Sequence, residues 1–203
     1  METDKASIKI LKILLKYFTI KPTVTSLAKE VGISRVGIWK VLKRLQSERL
    51  VILSPVGAGK TSAYRALLNW GNPLVEKTLA LSLTEDALKN ERWRHNFAEL
   101  EDKTDFLILY GSILNSPKEA NDIDILGVVS NRKNFTKIEK AVARIQKTQY
   151  KKIHALNFTQ AEFQQELEKP NEAFMNAIKK GVILFGQENF IEFLRSVRKN
   201  ESR

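Results

Sequence analysis

The chain has no cysteine, which excludes a disulfide scaffold, a thiolate metal site and a cysteine nucleophile. With only two histidines, a zinc site built on imidazoles is not expected. Five prolines and nine glycines in 203 residues are too few for a low-complexity chain, and 43 % of the residues are hydrophobic, so a packed core is expected. No apolar run approaches the roughly 18 residues of a membrane span. The stretch Ile8–Phe18 is interrupted by Lys9, Lys12 and Lys16. The opening METDKAS lacks the basic-then-apolar order of a signal peptide. These absences predict a soluble cytoplasmic protein with no membrane partner, built as one large or two small domains.

Acidic residues are scarce in the first third. Residues 1–70 carry thirteen basic side chains against four acidic, a net of +9, whereas residues 71–203 carry 21 against 19. A concentrated positive field on a small domain is the footprint of a phosphate-backbone partner, although a solvated basic face has the same composition.

The order of elements in that third is informative. Ile8, Ile10, Leu11, Leu14, Leu15 and Phe18 recur at helical spacing, and Pro22 stops the helix. Thr25 or Ser26 is placed to cap a short second helix, Leu27–Val31, which ends at Gly32. Ser34 is placed to cap a third helix with Ile38, Val41 or Leu42, and Leu45 on its buried stripe. Strands are expected at Leu50–Leu53 and Ala63–Leu68, around a Gly-rich tip. The tip Gly57-Ala58-Gly59-Lys60-Thr61 looks like the end of a P-loop, but Ser54 stands where that motif needs glycine, and a strand follows where it needs a helix.

The run TSLAKEVGISRVGIWKVLKRLQSERLV, with Ala28, Gly32 and Ser34 at its turn, resembles the helix-turn-helix of winged-helix transcription regulators over about residues 8–69. The resemblance implies a DNA-binding domain over 1–70, double-stranded DNA as partner, and Ser34–Gln46 as the recognition helix. Its outward residues would be Ser34, Arg35, Gly37, Trp39, Lys40, Lys43 and Arg44. Arg35 suits a guanine edge, while Lys40, Lys43 and Arg44 suit phosphates. Gly37 lets the backbone near a groove wall. Trp39 suits a thymine methyl or a sugar, or else a contact to the first helix or to the partner in a homodimer. Lys60 and Arg65 on the hairpin would flank the minor groove. Winged helices also serve as protein-interaction modules.

Asn72 as cap and Pro73 at the first helical position open a segment of linker helices expected over 71–103, with a second helix starting at Thr84. After Asp105 the pattern alternates strands and helices, so the whole chain is expected to be α+β, its last part a small mixed sheet flanked by helices. Phe106–Tyr110 is a buried strand ending at Gly111-Ser112, and Asp122-Ile123-Asp124 opens the next strand. On an extended strand the two carboxylates face one side about 7 Å apart, an arrangement suited to Mg²⁺. Gly111 and a helix opening at Ser112 would offer N–H groups and a hydroxyl to a polyphosphate.

The segment LILYGSILNSPKEANDIDILGVV, with KKGVILFG later, resembles the DNA polymerase β-like nucleotidyltransferases, most closely their minimal branch, over 104–187. The resemblance implies a nucleotidyltransferase-like domain over 104–203 in which Gly111 and Ser112 grip a nucleotide triphosphate. It also implies Asp122 and Asp124 holding Mg²⁺, and a nucleotidyl group passing to a hydroxyl. Two departures stand out. The strand expected to carry a third carboxylate, Lys151–Asn157, has none, and His154 stands in its place as a base, a ligand or a plain strand histidine. The loop Ile113–Asn121 has Lys118 as its one cation, either touching outer phosphates or solvated. The expectation is therefore a DNA-binding protein whose second domain binds a Mg²⁺–nucleotide triphosphate, with Asp122, Asp124 and His154 as the residues that would act if it turns over. The alternative is a transcription regulator whose second domain is a nucleotide sensor or dimerisation module. A third reading makes that domain the antitoxin half of a pair, with a helical ribonuclease-like protein as partner.

Overall fold

The computed structural model describes residues 4–17, 22–56, 63–168 and 172–200. The chain is mixed α and β and divides into two compact units, residues 1–82 and 83–203. Among the described residues, no helix is long and apolar enough to cross a membrane.

In the first unit, helix α1 (Lys5–Lys16) is capped by Asp4, whose carboxylate accepts from the Ser7 amide at 2.7 Å. Helix α2 (Val24–Val31) starts earlier than expected. Thr23 and Ser26 cap it reciprocally, so Thr25 is not the cap, and it ends at Gly32 in the left-handed region, φ 81°. Helix α3 (Arg35–Ser47) begins under Ser34, whose hydroxyl accepts from the Gly37 amide at 3.0 Å. Strands β1 (Val51–Val56) and β2 (Ala63–Leu68) pair antiparallel from Val51↔Leu68 to Val56↔Ala63. β1 runs through Pro55, past the expected end at Leu53, because in a two-stranded ribbon an edge proline forfeits no ladder bond. Ile10, Leu14, Leu27, Ile38, Leu42, Leu45 and Ala66 are fully or almost fully buried. The Gly57–Thr61 tip, including Lys60, lies outside the described residues.

Helix α4 (Pro73–Leu88) opens as expected, with the Leu74 amide donating to Asn72 Oδ1 at 3.0 Å. The break expected at Thr84 is absent: Leu79, Leu83 and Ala87 continue one buried stripe, and the chain turns only at Asn90. The division between the units falls inside α4. Nor is 84–103 only a linker. Trp93 of α5 (Glu91–Asn96), with Phe97 and Leu100 beyond it, packs into the core of the second unit, because their spacing gives one apolar face.

The second unit is a four-stranded sheet in the order β5-β4-β3-β6. β3 (Phe106–Tyr110) is antiparallel to β4 (Asp122–Val129) and to β6 (Val182–Phe185), while β4 and β5 (Lys152–Thr159) are parallel. The parallel pair is joined through α6 (Phe135–Gln146), as a parallel connection requires. Leu107, Leu109, Ile123, Ile125 and Ile153 pack in one layer with Ile138, Ala141 and Ile145 of α6. The alternate residues face the other way, where Phe106 meets Phe163 of α7 (Gln160–Glu168) at 5.5 Å and Phe190 of α9 (Gln187–Asn200) at 5.3 Å. Phe174 of α8 (Glu172–Lys180) closes on Phe163 at 5.2 Å. Both faces are therefore covered, and the strand ends that carry Asp122 and Gly111 stay accessible.

Candidate functional site

Strand register builds the site. Tyr110, Asp124 and His154 are directly opposite one another on β3, β4 and β5, forming a row across the sheet. Asp122, two residues before Asp124, shares that face by the period-two alternation of a strand. His154 Nδ1 lies 3.3 Å from Asp122 Oδ2 and 3.6 Å from Asp124 Oδ1. One donor atom from each of the three residues falls within 4.8 Å of the others. The structure thus brings His154 to the two carboxylates, on the strand expected to carry a third acid.

Burial raises the Asp124 carboxyl above its ordinary value, and the charge of Asp122 adds to the effect, against the opposing pull of His154. Burial likewise raises the Tyr110 phenol, reinforced by Asp124 and Asp122. Two like charges on one strand face are the state that a divalent cation relieves, and two carboxylates with an imidazole are a donor set that fits one. Tyr110 was not anticipated from sequence. The signal was available: it is the last residue of β3, on the face opposite Leu109, immediately before the glycine.

Gly111 has φ 85° and ψ −166°, and a Cβ there would stand 2.3 Å from Asp124 Oδ2. Only glycine lets the turn pass this close to the carboxylate. Ser112 is exposed at the start of a 3-10 turn, Ser112–Leu114. The expected helix at Ser112 is thus corrected to one turn; its carbonyl accepts from the Asn115 and Ser116 amides, and Pro117 follows. Lys118 is exposed in the loop that leads to Asp122. That loop is tied to β5 by Lys151, whose Nζ donates to the carbonyls of Lys118, at 3.3 Å, and of Ala120.

In the first unit, Ser34, Arg35, Lys40 and Lys43 of α3 and Arg65 of β2 are exposed, and Gly37 is half-buried. Trp39 packs on Tyr64 of β2 with ring centroids 5.2 Å apart, and Lys43 Nζ lies 4.9 Å above its ring. The ring contact seen for it is thus with the hairpin. Arg44 is exposed as well, and its guanidinium pairs with Asp4 and donates to Ser7 Oγ at 2.7 Å, both acceptors lying at the start of α1. A groove of about 360 Å³ is lined by Thr23, Thr25, Arg35, Val36, Trp39 and Tyr64. Val36, 66 % exposed, is an apolar residue on this surface that the sequence reading leaves out of both the buried stripe and the outward set.

Comparison with known protein families, with curated proteins and with solved structures finds no match.

Proposed function

We propose that the chain is a DNA-binding protein whose second unit is a nucleotidyltransferase-like domain that binds a divalent cation with a nucleotide triphosphate. The observation that carries this reading is the convergence of Asp122, Asp124 and His154 donors within 4.8 Å. Asp122 and Asp124 would hold Mg²⁺, which when bound neutralises charge on the triphosphate. Gly111 brings the turn close to Asp124, and Ser112 offers its hydroxyl to the phosphates. In the transfer, an acceptor oxygen bonds to the α-phosphorus as the α–β phosphoanhydride bond breaks. Pyrophosphate leaves, and the acceptor's proton passes to water or to the imidazole. The basic surface of the first unit, with Arg35, Lys40, Lys43 and Arg65 exposed beside a three-helix and hairpin order, supports a winged helix-turn-helix on duplex DNA.

One observation favours a second reading, a nucleotide sensor without turnover: the third donor is an imidazole and not a carboxylate. Thermal melting of the full chain tests the shared part. Mg²⁺ with a nucleotide triphosphate should stabilise the fold by about 2.7 kcal/mol at a hundredfold excess over the dissociation constant. Asp124→Asn should abolish that gain and leave the apo fold intact. A melting temperature unmoved by any triphosphate with Mg²⁺ would reject both readings. Release of labelled pyrophosphate in the presence of acceptors separates enzyme from sensor.

A further inference from the structure

We infer that the site formed by Asp122, Asp124 and His154, which takes Mg²⁺ in the reading above, prefers a first-row transition ion such as Mn²⁺ because of the imidazole. The inference rests on the metal-binding reading above and concerns which ion the donor set selects. Three features support it. First, His154 Nδ1 faces both acids, at 3.3 and 3.6 Å. Adjacent donors around an ion with bonds of about 2.1 Å stand about 3 Å apart, so a few tenths of an ångström bring the imidazole to donor spacing from each acid. Secondly, the position is fixed by the sheet, because His154 is directly opposite Asp124 in the parallel pair. The imidazole reaches the site without a loop that would have to order. Thirdly, Gly111 leaves Asp124 Oδ2 uncrowded where any side chain would meet it at 2.3 Å.

The donor chemistry then decides between ions. Mg²⁺ prefers oxygen and gives up water reluctantly, whereas affinity for nitrogen rises along the first transition row. A metal-bound imidazole carries no charge, so the two carboxylates give the site −2 and a bound M²⁺ leaves it neutral. A neutral site repels an arriving triphosphate less than an anionic one.

The test uses the full chain and the metals alone. Calorimetric titration with Mn²⁺ and with Mg²⁺ should give one Mn²⁺ per chain. Pulsed EPR of the Mn²⁺-loaded protein should show one directly bound nitrogen. His154→Asp should lose that nitrogen coupling and lower the Mn²⁺-to-Mg²⁺ affinity ratio by about tenfold or more. His154→Ala should weaken Mn²⁺ by a similar factor and change Mg²⁺ little, which covers the case of His154→Asp failing to fold. Asp124→Asn should lose both ions. An unchanged affinity ratio in the His154 variants, or Mn²⁺ bound without nitrogen coupling, would overturn the inference while metal and triphosphate binding stand. A wild-type chain that binds neither ion would overturn it together with the metal reading, His154 then being only an ion-pair partner of the two acids.

Discussion

Gly111 is a residue of the candidate site with little room to vary. Its φ is positive, and any Cβ at this position would come within 2.3 Å of Asp124 Oδ2. Gly111→Ala must therefore both strain the turn and push the carboxylate aside. The variant should lose about 1–2 kcal/mol in urea unfolding. It should also bind Mn²⁺ at least tenfold more weakly, by the displacement of a donor. Unchanged metal affinity would show that the turn and the carboxylate are independent. At this scale the sequence was readable where the chemistry is local: Gly-Ser closes a strand and Asp-x-Asp opens one. It was silent where the partner is distant. Arg44 carries the right charge for a phosphate, yet its acceptors are forty positions away on α1, and nothing in its neighbourhood announces them. Trp39 and Tyr64 meet only because the hairpin folds back on α3.

At the scale of elements, caps were legible and lengths were not. Thr159 and Glu162 exchange hydrogen bonds at the start of α7, a capping box whose two groups lie within one turn. Asn72-Pro73 opens α4 for the same reason. The Thr84 signal failed because a capping residue inside a continuous buried stripe simply stays helical. The Asp4–Arg44 pair joins α1 to α3, and it has a pH signature. Hydrogen bonding to Arg44 first, then to the Ser7 amide, lowers the Asp4 carboxyl below its ordinary 3.8. A folded-state value below the unfolded one gives stability that is present above the ordinary value and lost as pH falls through the lowered one. Both side chains are more than 40 % exposed, so solvent screening holds the contribution to at most about 1 kcal/mol. Arg44→Ala should therefore be slightly less stable than wild type at neutral pH, with the gap closing in acid. A gap that widens in acid would contradict the pairing.

At the scale of the molecule, the charge asymmetry predicts how duplex binding responds to salt. If Lys40, Lys43 and Arg65 each displace a counterion, log K against log salt should fall with a slope of about −2.7. Lys43→Ala should reduce that slope by about one across all sequences, while Arg35→Ala should relax sequence preference. Fluorescence anisotropy of the full chain at several salt concentrations checks this, and salt-insensitive or absent binding would reject the reading. Length alone leaves one large or two small domains open, and the patterning suggests boundaries at 70 and 103; the two units instead divide at Ser82–Leu83, inside a helix that shows no change of pattern there. The Tyr110–Asp124–His154 row has a further consequence. A slip of one residue between β4 and β5 would turn His154 into the apolar layer beneath α6 and set Ile153 or Ala155 opposite Asp124. A ligand that needs all three donors can be held in one alignment only. Its occupancy would then proofread the pairing of two strands that the chain joins only through α6, and slow hydrogen exchange along β5 would record the locked alignment.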